Sequence, residues 1–171
     1  DSIRARLPQL LVDHVRAWRL GSEIVSSSLV RDVVGQGDVA RGAVLLGRPH
    51  FIRGTVVPGD QRGRTMGYPT ANLETDAELV PGRGVYAVRV CVDEDASYIG
   101  VANLGTRPTF DGTRFLIEVH LLEFEGNLYG RELRVAFLDR VRPERRFPDR
   151  DALMRQIRAD VQAARVICGQ A

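Results

Sequence analysis

The sequence predicts a mainly β protein: a closed antiparallel barrel with one amphipathic helix at its C-terminal end and a helical segment ahead of it. Three observations predict this. Short stretches rich in alternating or β-branched apolar residues follow one another between residues 51 and 141, separated by short polar turns, as in a sheet that closes and leaves no free edge. Seventeen Gly and eight Pro in 171 residues supply many turns. Residues 149–167 then switch to a helical period, with Leu153, Ile157, Val161 and Ala164 on one face.

In residues 4–20, Leu7, Leu10, Leu11, Val15 and Trp18 fall near helical spacing and predict a first helix. Ser26-Ser27-Ser28 offers an N-cap for a second over 29–34, which Gly35 and Gly37 break. Asp38 caps a third that runs through Leu46 and stops at Gly47 and Pro49. Residues 51–57 read as the first strand and 58–69 as a Gly-rich loop. In 84–92, Tyr86, Val88, Val90 and Val92 share one face, and Val85, Ala87, Arg89 and Cys91 the other. Asp93-Glu94-Asp95-Ala96 is a tight turn into a strand over 98–103. Residues 115–122 form the clearest strand and 133–141 another. The texture divides the chain into a helical segment, 1–47, and a barrel domain, 48–171.

Composition excludes several functions. No apolar run approaches the roughly 20 residues that span a bilayer, and no signal peptide is visible. Cys91 and Cys168 lack metal-ligand spacing, which predicts a reduced, cytoplasmic protein. A net charge of +2 leaves no electrostatic footprint for nucleic acid. All 24 basic residues are Arg. A chain without Lys has no Walker A loop, no protein-kinase Lys–Glu pair and no Schiff base. Any ATP chemistry here rests on backbone amides, Arg and a metal ion. The first residue is Asp1 rather than Met, as expected of a chain whose natural start lies upstream.

Two stretches could carry chemistry. The first spans residues 59–72. Gly59, Gly63 and Gly67 let the backbone approach a ligand and turn amides inward, and Arg62 and Arg64 add positive charge. Thr70 and Asn72, two apart on an extended segment, face one side. A hydroxyl and an amide oxygen together suit a hard cation such as Mg²⁺ that bridges phosphates. The same residues also suit a flexible hairpin loop with a Pro turn. The second stretch is 115–122, where Phe115, Ile117, Val119 and Leu121 oppose Leu116, Glu118, His120 and Leu122. Glu118 amid such apolar neighbours is either a general base for an alcohol or part of a solvated outer face.

Taken in order, Gly67-Tyr68-Pro69-Thr70-Ala71-Asn72, Gly84-Val85-Tyr86, the run from Ala102 to Phe110, Glu118-Val119-His120, Leu128-Tyr129-Gly130 and Arg142-Pro143-Glu144 resemble the riboflavin kinase family over residues 47–166. The resemblance implies a six-stranded antiparallel Greek-key barrel with a C-terminal helix packed on it. It implies transfer of the γ-phosphate of MgATP to the ribityl 5′-hydroxyl of riboflavin, giving FMN. Thr70 and Asn72 match the family residues that hold Mg²⁺ and the ATP phosphates, and Glu118 matches the catalytic base. The loop carrying Gly59, Arg62, Gly63, Arg64 and Gly67 would cover the phosphates. The flavin ring would lie between the barrel, the region of Arg142 and Phe147, and the last helix, with Arg142 also offsetting phosphate charge.

Within residues 1–47, Val25-Ser26-Ser27-Ser28-Leu29-Val30-Arg31, Gly37-Asp38-Val39 and Leu46-Gly47-Arg48-Pro49 resemble the tail of the FMN adenylyltransferase module that precedes the kinase in bacterial bifunctional FAD synthetases. Ser28 stands where Thr is usual, and the His-x-x-His nucleotidyltransferase signature is absent. The chain is therefore expected to make FMN but not FAD, as a fragment of a bifunctional protein or as a kinase with a residual leading segment. A non-catalytic flavin-binding barrel is the other alternative, and Glu118 beside Thr70 and Asn72 argues against it.

Overall fold

Six strands close on one another in the computed structural model, which describes residues 6, 15–59, 63, 66–109 and 112–169. The chain runs through a two-residue hairpin, β1 (Arg19–Leu20) and β2 (Glu23–Ile24), then helices α1 (Ser27–Gly35) and α2 (Val39–Leu46). The barrel follows as β3 (His50–Val57), β4 (Ala71–Glu74), β5 (Gly84–Val92), β6 (Ala96–Thr109), β7 (Gly112–Leu121) and β8 (Glu132–Arg142), and α3 (Arg150–Ile167) ends it. The strand order around the closed barrel is β3-β4-β7-β6-β5-β8, with every pair antiparallel. The six-stranded barrel with its C-terminal helix is the fold expected.

Period-two alternation fills the interior. Tyr86, Val88, Val90 and Val92 of β5, Ile117 and Val119 of β7, and Leu133, Val135 and Phe137 of β8 form one core with Ile52, Val56 and Leu104. Tyr86 meets Phe137 edge-on, with ring centroids 5.5 Å apart. Each such side chain contributes about 1.5–3 kcal/mol on burial, so stability resides inside the barrel and the outer wall is free to carry a site. Asp93 and Glu94 take positive φ, 47° and 66°, in the three-residue connection between β5 and β6, where Asp95 N donates to the Val92 carbonyl at 3.1 Å. The Asp93 carboxylate secures that turn, accepting from Arg131 Nε at 2.6 Å and Glu132 N at 3.1 Å.

Helices start and stop where their caps predict. Ser26 accepts from Leu29 N, Asp38 from Arg41 N and Asp149 from Ala152 N, and Gly47 ends α2 at φ 69°. α3 lies over the outer faces of β5, β6 and β8, which buries Val85 and Ala87 on the side of β5 that faces away from the core. Val39 of α2 reaches into the barrel core itself. Arg140 of β8 ties the helical segment to the barrel, donating to the carbonyls of Gln36 at 3.3 Å and Arg83 at 2.5 Å. Its Nε is buried without a partner among the described residues. Beside it, Tyr86 donates its hydroxyl to the Gly82 carbonyl, and burial pushes the phenol above its ordinary pKa.

One expected element differs. Residues 15–18 have no regular structure and Arg19–Leu20 pair as a strand with Glu23–Ile24, so the helix expected over 4–20 does not extend over 15–20; residues 4–5 and 7–14 lie outside the described residues. Val15 and Trp18 are 94% and 72% exposed. Helical spacing without a surface to pack against does not hold a helix, and Gly21, at φ 61°, turns the chain back instead. No helix among the described residues is long and apolar enough to cross a membrane.

Candidate functional site

The cleft sits on the outside of the barrel and follows from strand register. β4 pairs with β7 so that Asn72 opposes Glu118, and β6 pairs with β7 so that Asn103 opposes Glu118. Ile117 and Val119 point into the core, which forces Glu118 outward. Three polar side chains thus form a row across three strands, and Asn103 Nδ2 donates to Glu118 Oε2 at 3.3 Å. The next row outward places His120 beside the Pro69–Thr70 turn, with its Nδ1 2.7 Å from the Pro69 carbonyl and its ring edge-on to Tyr68 at 5.4 Å.

A cavity of about 780 Å³ lies over these rows. Gly59, Gly63, Thr70, Asn72, Glu118, Arg142 and Phe147, seven of the residues singled out from sequence, all line it. Gly67 is exposed outside that lining, at φ 79°. Arg62 and Arg64 lie outside the described residues. Gly59 packs so closely on the Asn72 amide that an added Cβ would overlap it, so a side chain there would displace Asn72. The loop also closes on itself: the Gly63 carbonyl accepts from Met66 N at 3.0 Å and Tyr68 N at 2.9 Å.

The opposite wall is built by α3. Asp160, 3% exposed, accepts from Arg142 Nε at 3.0 Å to both oxygens, from Arg142 Nη2 at 2.8 Å and from Gln156 Nε2 at 2.6 Å. A buried carboxylate needs such a full set of donors. Arg145 in turn donates to Gln156. The Arg142 and Arg145 guanidinium carbons lie 5.5 and 4.9 Å from the Phe147 ring centroid. Leu153, Ile157 and Val161 of α3 complete an apolar wall. The cleft is therefore lined by two neutral oxygen donors and a carboxylate on the strands, and by an aromatic and aliphatic wall from Phe147 and α3.

Sequence reasoning did not single out Asn103, His120 or Asp160 as site residues. The signal for Asp160 was present: it follows Gln156 by four and precedes Ala164 by four, an acid bordering the apolar stripe of a helix. Asn103 and His120 emerge only from cross-strand register. Among the described residues, no cluster of three or more His, Cys, Asp or Glu could hold a metal by itself. Thr70 and Asn72 supply uncharged oxygens, a donor set that fits a hard cation arriving with phosphate oxygens rather than one held by the protein alone.

Comparison with known proteins identifies the family. Residues 46–168 match the family model described as riboflavin kinase. A Haemophilus influenzae protein named bifunctional riboflavin kinase/FMN adenylyltransferase is 39% identical over 155 residues, covering 91% of this chain and 50% of that protein. A Bacillus subtilis protein of the same name is 43% identical over 144 residues, covering 82% and 45%. The chain spans about half the length of the curated relatives it matches. Among solved structures, a Streptococcus pneumoniae protein described as a macrolide-efflux protein superposes with a TM-score of 0.83 at 37% identity, over 88% of this chain and 50% of that one. Riboflavin kinase from Trypanosoma brucei superposes at 0.53 with 28% identity, over 70% and 77%.

Proposed function

Because the chain belongs to the riboflavin kinase family, we propose that it transfers the γ-phosphate of ATP to the 5′-hydroxyl of riboflavin's ribityl chain, giving FMN and ADP. The observation that supports this reading is that Glu118, Thr70, Asn72 and Phe147 line one cleft, with Asn72 directly opposite Glu118 across the β4–β7 pairing. A fold shared with a protein described by efflux cannot choose an activity; the cleft residues can.

In this reading the Gly59–Gly67 loop, with Arg62 and Arg64, covers the nucleotide phosphates, and Thr70 and Asn72 hold Mg²⁺ with them. The ion, when bound, offsets charge on the transferring phosphoryl group. The flavin ring packs against Phe147 and the apolar face of α3, which Arg142 holds in place. The ribityl chain then points its terminal hydroxyl at Glu118. Glu118 accepts the hydroxyl proton as the hydroxyl oxygen bonds to the γ-phosphorus and the bond to the β-bridging oxygen breaks. Asn103 keeps the carboxylate oriented through its amide. No Lys is needed, because phosphoryl transfer asks for positioning and charge neutralisation.

Residues 1–47 serve as the tail of an adenylyltransferase module and 48–171 as the kinase domain, acting in the cytoplasm. The purified chain incubated with riboflavin and MgATP is expected to yield FMN, separated chromatographically from FAD. FMN supplied with MgATP is expected to yield no FAD. An absence of FMN from the first incubation would refute the kinase reading, and FAD from the second would refute the reading of the leading segment.

A further inference from the structure

His120 is the outer-face residue next to Glu118 on β7, and the phosphoryl-transfer reading gives it no task. The β4–β7 ladder consists of Ala71↔Val119 and Asn72↔Glu118 and stops there. Thr70 lies one residue beyond the last strand pairing, so the sheet does not fix it. Pro69 has no N–H to donate, and its carbonyl is met by His120 Nδ1 at 2.7 Å. A carbonyl only accepts, so Nδ1 carries the proton and donates it. That carbonyl belongs to the planar peptide joining residues 69 and 70, and holding its oxygen sets the plane from which Thr70 departs. The Tyr68 ring stands edge-on to the same imidazole, and Tyr68 N closes the loop onto the Gly63 carbonyl. Among the described residues, His120 is the β7 side chain whose hydrogen bond reaches this segment.

We infer that His120 is a positioning residue for the nucleotide end of the cleft: its Nδ1–H holds the Pro69–Thr70 peptide, and with it the Thr70 hydroxyl. This rests on the reading of Thr70 as a phosphate- and metal-side residue. The role belongs to Nδ1 alone. It persists whether the ring is neutral or protonated, because Nδ1–H is present in both forms.

The test compares two amides. The Asn side-chain nitrogen can occupy the place of Nδ1, whereas the Gln amide extends to the place of Nε2. MgATP affinity is measured by titration calorimetry on the full chain, riboflavin affinity by flavin fluorescence, and folding by thermal melting. Loss of one positioning hydrogen bond is expected to weaken MgATP binding about tenfold in His120→Gln, while His120→Asn stays within about threefold of the parent. Riboflavin affinity is expected to be unchanged in both. Gln equal to the parent, Asn no better than Gln, or an equal loss of riboflavin affinity would each overturn the inference. A parent chain that binds MgATP but makes no FMN would refute the kinase reading, and the Asn–Gln comparison would still be read from binding. A parent chain that does not bind MgATP would overturn both.

Discussion

Replacing Asp160 by Ala removes the one acidic residue buried in the described structure and tests what holds the flavin wall. Its carboxylate receives Nε and Nη2 of Arg142 and the amide of Gln156. The substitution leaves the Arg142 side chain, 16% exposed, without its counter-charge. Removing one member of a buried pair costs about 3–5 kcal/mol. Arg142 borders an open cleft and can turn toward water, which places the expected loss near the lower bound, about 3 kcal/mol. For a chain of this size that corresponds to a fall in Tm of roughly 6–12 °C. Urea unfolding should show the same loss as a lower midpoint at constant slope. Because α3 carries Leu153 and Ile157 on the cleft, riboflavin affinity should fall more than MgATP affinity. The pair Arg142→Met with Asp160→Leu should recover at least half of the stability, since the charge left unpaired is then gone. A Tm within about 2 °C of the parent for Asp160→Ala would refute the argument. So would a double variant no more stable than the single one, for the loss would then not arise from uncompensated charge.

Glu118→Gln keeps the size of the side chain and an oxygen for the Asn103 amide, and should lower saturated turnover about 10²-fold, the lower part of the general-base range, with riboflavin binding intact by fluorescence; normal turnover would remove Glu118 from the mechanism. Thr70→Ala should raise KM for MgATP with Tm unchanged, and kinetics that stay unchanged as nucleotide and metal are varied would refute its role. His50, whose Nε2 lies 3.0 Å from the Leu79 carbonyl, is held by burial below its ordinary pKa of 6.5. The unfolded chain thus binds the proton more readily, so the stabilisation is complete above about pH 6.5 and is lost as pH falls through the folded value. His50→Gln, which can still donate to Leu79, should flatten the dependence of Tm on pH between about 7 and 5; an unchanged slope would show that another group sets it.

The parts legible in the sequence were those governed by local periodicity. β7 and β8 alternate apolar with polar or partly covered residues, β5 does so from Val88 onward, and α3 has both its stripe and its Asp149 cap. β4, four residues long, carries too little pattern to be read as a strand, although Thr70 and Asn72 were placed on an extended segment. β6 runs to Thr109 rather than ending at Asn103, because pairing with β7 carries the chain past Gly105 and Pro108 where propensity alone would stop it. In the site, Gly59, Gly63, Thr70, Asn72, Glu118, Arg142 and Phe147 were identified one by one and the cleft unites them. Asn103 and His120 were not singled out because their significance depends on which residue faces them across a strand, a property of register. The helix over 4–20 was misread along 15–20 because spacing says nothing about whether a packing surface exists.

The row Asn72–Glu118–Asn103 has a consequence for folding fidelity. Glu118 faces outward because its neighbours Ile117 and Val119 face inward, and the same two pairings that seal β7 into the barrel set the row. A slip of β7 by one residue would drive the carboxylate into the core and put two apolar side chains in its place. Such a chain could not close the barrel, so it would be cleared as misfolded protein rather than persist as a folded but inactive form. The fraction of molecules able to bind ligands in the cleft should therefore equal the fraction folded, and counting occupied clefts is a measure of how faithfully the chain has folded.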